Sequence, residues 1–503
     1  MSKLKRVCIG ILSIVMAITI IGVCGRFGTK VKASEKLTSG EYEYVRGTSL
    51  DLNSNNQMEV SRVQVGDIPM GKEDSWTLFV YMCGSDLESQ YQAATADIKE
   101  MISASESDNV NIIIQTGGSY AWNKPSIDPE KIGRYIIKGN KLELIESHPD
   151  ANMGDVDTLK RFLTWGVKEY PAEHMGVILW NHGGGTLGGV CFDEKHNYDS
   201  LLLAEMEKAF DETAKYMTDK FEVIGFDACL MGSIETANVI APYADYMIGS
   251  EESEVGDGWE YTSIVNGLVN NPDMNGDELG KIACDAFMAS IEDTIEEEKA
   301  TLSVLDLNKV DEVIVKFNEV AKEIDEKSLS VDDIANYFNA AKDADNFGGN
   351  DDEYGYTFMV DLADFMHYMS KYVGGTKDVI NAVKDMVVYE KAGSFYPFAE
   401  GVSIYYPYID CGMIDMNILR NVVISPYYMN YIDKVAYSTQ YETLEGFKSN
   451  SWEKNSYYFE KDYLFLDYMF YSKEDYINKL KNEVYYTQAD FDDKWNVWYG
   501  KNK

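Results

Sequence analysis

Cys229 and His182 are the residues best placed by type and spacing to do chemistry together. Each follows an apolar run: Phe221 to Phe226 (FEVIGF) leads through Asp227 and Ala228 to Cys229, and VILW leads through Asn181 to His182 and three glycines. A β-favouring run that stops at a polar or reactive residue puts it at a strand's carboxyl end, where open α/β sheets gather their ligands. A thiol there, close to the start of a helix, is exposed and acidified. Cysteine attack on a carbonyl needs a thiolate, or a base to make one, together with donors for the developing oxyanion. His182 supplies the base, and the glycines behind it let the backbone turn an N–H toward a substrate. Taken singly, Cys229 reads as a small buried hydrophobe and the glycine loop as a turn or a phosphate cradle. As a pair they read as a nucleophile and its base.

The elements that must position this pair can be read from periodicity. Continuous apolar runs at Trp76–Met82, Val110–Gln115, Met175–Trp180, Phe221–Phe226 and Tyr246–Ser250 have strand length and alternate with helical patterns. Arg134 to Ile145 alternates about Gly139-Asn140 as a β-hairpin. Helical spacing is expected at Asp155–Lys168, Leu201–Tyr216, Ser233–Ala241 and Asp277–Glu298. The fold class is therefore α/β, a mostly parallel sheet sandwiched by helices. Thr301–Leu307, helices at Val310–Lys327, Val331–Asp343 and Val379–Met386, and the runs Phe358–Phe365 and Gly401–Pro407 suggest a further C-terminal α/β portion. The expected organisation is a signal peptide at 1–33, a linker or prosegment at 34–74, a catalytic domain at 75–300 and a C-terminal portion at 301–503. No internal repeat is visible. The last fifty residues mix aromatic and acidic side chains, which suits packing on the main body or, alternatively, stacking on glycans.

Composition narrows the partners. The chain of 503 residues carries a formal charge of −39, and the first 33 residues hold six basic and no acidic side chains, so their removal leaves −45. That sign excludes nucleic acid and favours cationic ligands. Lys3, Lys5 and Arg6 precede an uncharged stretch from Val7 to Gly25 and a small-residue site ending at Ala33, the pattern of a cleaved signal peptide. The same stretch, if retained, would anchor the chain in a membrane, the only membrane association expected. Beyond Ala33 the cysteines are Cys83, Cys191, Cys229, Cys284 and Cys411, an odd and widely spaced set without a CxxC pair, so neither a disulfide framework nor a zinc finger is indicated. The stretch Asp273–Glu278 (DMNGDE) starts like a calcium loop but lacks the glycine at the sixth place and has Cys284 where the bidentate glutamate belongs. Asp351, Asp352 and Glu353 are an equally weak calcium candidate, and His148, His174 and His367 are isolated.

An apolar block leading to His-Gly, and a later one leading to Ala-Cys, resembles the caspase-like clan of cysteine peptidases. Within it the chain resembles the clostripain family through WNHGGG (Trp180–Gly185), DACLMGSIE (Asp227–Glu235), Glu251–Ser253 and GVSIYYP (Gly401–Pro407), with matches from about Trp76 to Pro407. The resemblance implies endopeptidase activity through a Cys229/His182 dyad, with the backbone N–H groups of Gly183 and Cys229 as the oxyanion hole. It implies cleavage after Arg or Lys, hence a carboxylate at the base of the specificity pocket, for which Asp257 and Asp227 are the candidates. It also implies self-cleavage in the loop after the histidine, where Lys195 stands in a polar segment expected to be exposed. No cofactor is required, although some members depend on Ca²⁺, and no metal ligands are assigned. Two rivals remain: an Asn- or Asp-directed peptidase of the same clan, and a catalytically silent surface protein using the fold for adhesion.

Overall fold

The computed structural model describes residues 47–432, apart from 257, 329–330, 352–354 and 409–417. The proposed signal peptide, Cys411 and most of the aromatic acidic tail lie outside the described residues. A nine-stranded sheet forms the centre of the molecule. In chain order its strands are β1 (Lys72–Cys83), β2 (Val110–Gly117), β3 (Lys131–Lys138), β4 (Lys141–Pro149), β5 (Ala172–Trp180), β6 (Phe221–Asp227), β7 (Ala244–Gly249), β8 (Thr301–Asp306) and β9 (Val387–Ala392). They lie side by side in the order β9-β8-β7-β6-β5-β1-β2-β3-β4. The central strands β7, β6, β5, β1 and β2 are mutually parallel, while β3 and β4 on one side and β8 and β9 on the other run antiparallel.

Strands buried on both faces are apolar at every position, which is why they read as continuous runs. Along β1, Phe79, Tyr81 and Cys83 enter one core and Leu78, Val80 and Met82 the other. The helices that flank the sheet include α1 (Ser85–Ser89), α2 (Ala93–Ser103), α3 (Val156–Glu169), α4 (Leu203–Ala214), α5 (Ile234–Ile240), α6 (Tyr261–Asn270), α7 (Gly276–Ser290), α8 (Val310–Lys327), α9 (Val331–Asp343), α10 (Leu362–Met369) and α11 (Thr376–Met386). Helices α2, α6 and α7 fill the face with Leu78, and α3, α4, α5, α8, α10 and α11 fill the other. Asp155 caps α3 by accepting from the Asp157 N–H. Among the described residues no helix is long and apolar enough to cross a membrane.

Several expectations are corrected. Residue 300 does not separate two sheets, because β8 and β9 complete one edge of the main sheet. β9 escaped notice because an edge strand exposes alternate polar residues, as VVYEKA does. α6 was not anticipated, and α7 ends at Ser290, short of Glu298. Part of the supposed linker is ordered: Thr48–Leu52 pairs with Met58–Arg62, and Arg62 fastens this hairpin to Asp311 of α8 at 2.6 Å and to the Asn238 carbonyl of α5 at 2.9 Å. Within DMNGDE, Asn275 caps α7 by accepting from the Glu278 N–H, so the second half of this stretch is a helix start.

The C-terminal portion holds a three-stranded sheet of Asn346–Phe347, Met359–Asp361 and Ser403–Tyr405. It grips the segment behind Cys229: the Ser403 N–H donates to the Gly232 carbonyl at 2.9 Å. Glu235 completes the join, accepting from the Tyr405 N–H at 3.1 Å and the Thr186 hydroxyl at 3.2 Å. Burial raises its carboxyl to about 7 against the ordinary glutamate value. The folded chain thus holds a proton there that the unfolded chain releases at lower pH, so this contribution is present at low pH and is lost as pH rises through about 7. Glu235→Gln imitates the protonated form, and its melting temperature should fall less steeply between pH 5 and pH 8 than that of the parent, as read by calorimetry.

Candidate active site

The site follows from one strand register. β5 and β6 are parallel with Trp180 opposite Asp227, and His182 and Cys229 each lie two residues beyond that pair. They therefore leave neighbouring central strands at the same level. Asn181 fixes the strand ends: its N–H donates to the Asp227 carbonyl at 3.2 Å, its amide donates to the Cys83 carbonyl at 2.8 Å, and its side-chain oxygen accepts from the Phe192 N–H at 2.7 Å. Beyond it the Gly183 backbone lies against that of Cys229. A Cβ at Gly183 would fall 1.9 Å from the Cys229 carbonyl oxygen, so only glycine permits this approach.

Asp86 joins the site, although the sequence analysis assigned no third residue. Met82 of β1 pairs with Trp180, so α1 begins beside the histidine loop. Asp86 Oδ1 lies 2.8 Å from His182 Nε2, which leaves Nδ1 as the ring nitrogen not engaged by Asp86. Burial would raise the Asp86 carboxyl, but the hydrogen bond and charge of His182 outweigh it and hold Asp86 below the usual range. A carboxylate so placed fixes the imidazole's tautomer and stabilises the imidazolium formed on proton transfer. The sequence shows that Asp86 follows an apolar run at a strand end, as His182 does, but not that the two meet.

The nucleophile's surroundings differ from the expectation of an exposed, acidified thiol. The helix after Cys229 begins only at Ile234, and Leu230 takes a left-handed φ of 65° between them. The segment after β7 folds over the sulfur instead. The Glu254 N–H donates to Cys229 Sγ at 3.3 Å, and the thiol faces the Glu254 carbonyl at 3.9 Å. Cys229 is only half-buried, but desolvation first, then the Glu254 carboxyl's charge, push its thiol up to about 12.

Asp227 is 5% exposed and is reached by the same segment. Its carboxylate accepts from the Tyr261 hydroxyl at 2.8 Å and the Trp259 N–H at 3.4 Å. The Glu254 carboxyl lies close enough for each group to raise or hold the other's proton, and it accepts from the Trp259 indole N–H at 3.1 Å. Burial raises Asp227 to about 6, and Glu254 is raised well above its ordinary value by burial and by Asp227. Asp257 lies outside the described residues; its neighbour Gly258 touches Asp227, a Cβ there falling 3.2 Å from Oδ1. Glu252 anchors the segment from the far side, accepting from the Gly348 N–H at 2.9 Å and from the Tyr396 hydroxyl.

Lys195 is not on an exposed strand of loop. Val190–Asp193 and Asp199–Leu201 pair as a hairpin with Lys195 in the 3₁₀ turn Glu194–His196 between them. Its ammonium donates to the Pro129 carbonyl at 2.6 Å and pairs with Asp150 at 3.0 Å, leaving the side chain 8% exposed. Cys191, unexplained by sequence, is a buried core thiol of this hairpin, pushed far above its ordinary value by burial.

A sheet that presents a cysteine and a histidine at the carboxyl ends of adjacent parallel strands has the architecture of a caspase-like cysteine peptidase. The chain belongs to the clostripain family of these enzymes, whose model matches residues 80–494. It is 24% identical over 430 residues to clostripain of Hathewaya histolytica, covering 70% of this chain and 78% of that one. Its fold is similar to that of a secreted C11 cysteine protease from Bacteroides thetaiotaomicron in complex with an irreversible peptide inhibitor, at TM-score 0.51 and 19% identity over 70% of this chain and 97% of that one. It is similar also to an inactive zymogen C11 protease from Parabacteroides distasonis, at TM-score 0.52 and 18% identity over 70% and 98% of the two chains.

Asp86→Asn keeps the shape of the contact but removes the charge that stabilises the imidazolium. Steady-state kinetics on a peptide substrate should show kcat reduced roughly 10- to 100-fold with KM little changed; an unchanged kcat would remove Asp86 from the site.

Proposed function

We propose that the protein is a secreted endopeptidase that cuts after Arg or Lys, exported by means of its N-terminal segment. The observation carrying this reading is the register that brings His182 and Cys229 out of adjacent strands at one level. His182 takes the thiol proton, the sulfur bonds to the scissile carbonyl carbon, and the carbonyl oxygen gathers charge toward the N–H groups of Gly183 and Cys229. Collapse of that adduct breaks the C–N bond, the imidazolium protonates the leaving amine, and water then hydrolyses the thioester. Family membership supports a polypeptide substrate.

Basic specificity is supported by the carboxylates beside the nucleophile. Asp227 lies two residues before Cys229 and is covered by Glu254; Asp257 remains the second candidate for the pocket base. An entering guanidinium or ammonium would replace the proton that Asp227 and Glu254 hold, and Glu254 would move off the sulfur as the cation arrives. Self-processing after Lys195 belongs to the same proposal and requires its hairpin to open, since the lysine is clamped by Pro129 and Asp150. Lys195→Ala should then remain a single chain on a denaturing gel, and two unchanged fragments would remove that site.

The test is hydrolysis of fluorogenic peptides ending in Arg, Lys or Asn under reducing conditions, with Cys229→Ala beside the parent. Release from Arg or Lys peptides that vanishes in Cys229→Ala is expected. Release from Asn alone would select the other specificity, and no thiol-dependent release would leave the silent surface protein. Because a cationic side chain binds the ionised pocket, kcat/KM for the basic peptides should rise as pH passes through about 6, the value to which burial lifts Asp227. Asp227→Asn should flatten that limb.

A further inference from the structure

At the opposite end of β5 from the nucleophile, three side chains converge: Glu173, His174 and Asp273. Trp180 lies six positions along the strand from His174, a distance of about 20 Å, so this cluster is distinct from the peptidase site. We propose that it is a binding site for a divalent transition-metal ion of zinc's preference, held by His174 Nε2 and one oxygen each of Glu173 and Asp273.

The imidazole is oriented as a metal ligand is. Its Nδ1 lies 2.7 Å from Glu222 Oε1, so the proton sits on Nδ1 and the lone pair on Nε2. A carboxylate behind a histidine in this way fixes the tautomer and raises the basicity of the ligating nitrogen. Nε2 itself is buried and makes no hydrogen bond; it looks toward Asp273 Oδ1 at 3.7 Å. All three ligand atoms lie within 4.8 Å of one another, against the roughly 3.3 Å between ligands of a tetrahedral zinc with bonds of about 2.0–2.1 Å. The closure is small, and Asp273, whose side chain is 73% exposed, has room to move toward the ion.

The ligands are also held in place from outside the cluster. One Glu173 oxygen accepts the Asp74 N–H at 2.5 Å, and the His174 ring stacks on Trp76 with centroids 5.7 Å apart. The loop carrying Asp273 is pinned on both sides, by the Trp76 indole N–H on the Met274 carbonyl at 2.9 Å and by the Gly276 N–H on Glu222 at 3.2 Å. One nitrogen and carboxylate oxygens suit zinc and its neighbours, whereas calcium takes oxygen ligands alone. A fourth position would belong to water. The competing arrangement is an imidazolium bridging Glu222 and Asp273 as an ion pair. The two differ in whether a metal displaces the proton.

The experiment is calorimetric titration of ZnCl₂ into full-length Cys229→Ala protein, which removes the catalytic thiol as a zinc ligand. One equivalent should bind with micromolar or tighter Kd and raise the melting temperature, while CaCl₂ does neither. Asp273→Asn, on an exposed side chain that leaves the His174–Glu222 contact in place, should weaken zinc roughly 10-fold or more. Absence of binding, or equal affinity in Asp273→Asn, would overturn the site.

Discussion

The register of two parallel strands is the constraint on which the site depends. With Trp180 opposite Asp227, the chain has no freedom to bring His182 and Cys229 out at different heights. That register is in turn fixed by burial on both faces, since a one-residue slip would exchange the two sets of core side chains and turn both reactive residues away. Asn181 adds a local lock, reaching β1, β6 and the hairpin after the histidine with its backbone and side chain. His182 and Cys229 thus leave buried central strands, while the groups that touch them come from the connections.

Those connections impose the opposite tendency. A cysteine at a strand end is reactive only if solvent or a cation lowers its thiol, yet the segment after β7 lays the Glu254 peptide on the sulfur and its carboxyl on Asp227. Burial then raises the thiol and both carboxyls together. Two carboxyls this close and this buried cannot both carry full charge, so each holds the other's proton more tightly. The C-terminal portion holds this segment through Glu252, and holds the nucleophile's own loop through Glu235 and Ser403. It is therefore part of the site's construction and not an appended module.

Much of this was legible in the sequence because central parallel strands advertise themselves. The apolar runs before His182 and Cys229 gave both strands and the level of both residues, and the family resemblance agrees with the match to residues 80–494. What escaped was of a different physical kind. Asp86 acts through a contact 96 positions away in the chain, which no local pattern encodes. Glu254 is an ordinary acidic residue until the chain reverses over Cys229. β9 was hidden by the polar half of an edge strand, and His174 appeared isolated because Glu222 and Asp273 reach it from β6 and from the loop between α6 and α7. A polar composition suggests an exposed Lys195, whereas Asp150 and the Pro129 carbonyl bury its ammonium, contacts that composition does not encode.

The covering of Cys229 by Glu254 can be measured directly through the rate at which iodoacetamide alkylates the thiol as a function of pH. In the parent protein alkylation should be slow at pH 7 and rise only well above the ordinary thiol range, and Glu254→Ala should speed it at pH 7 and shift its profile downward. A parent thiol that already alkylates rapidly at pH 7, with a profile that Glu254→Ala leaves unmoved, would contradict the covered nucleophile.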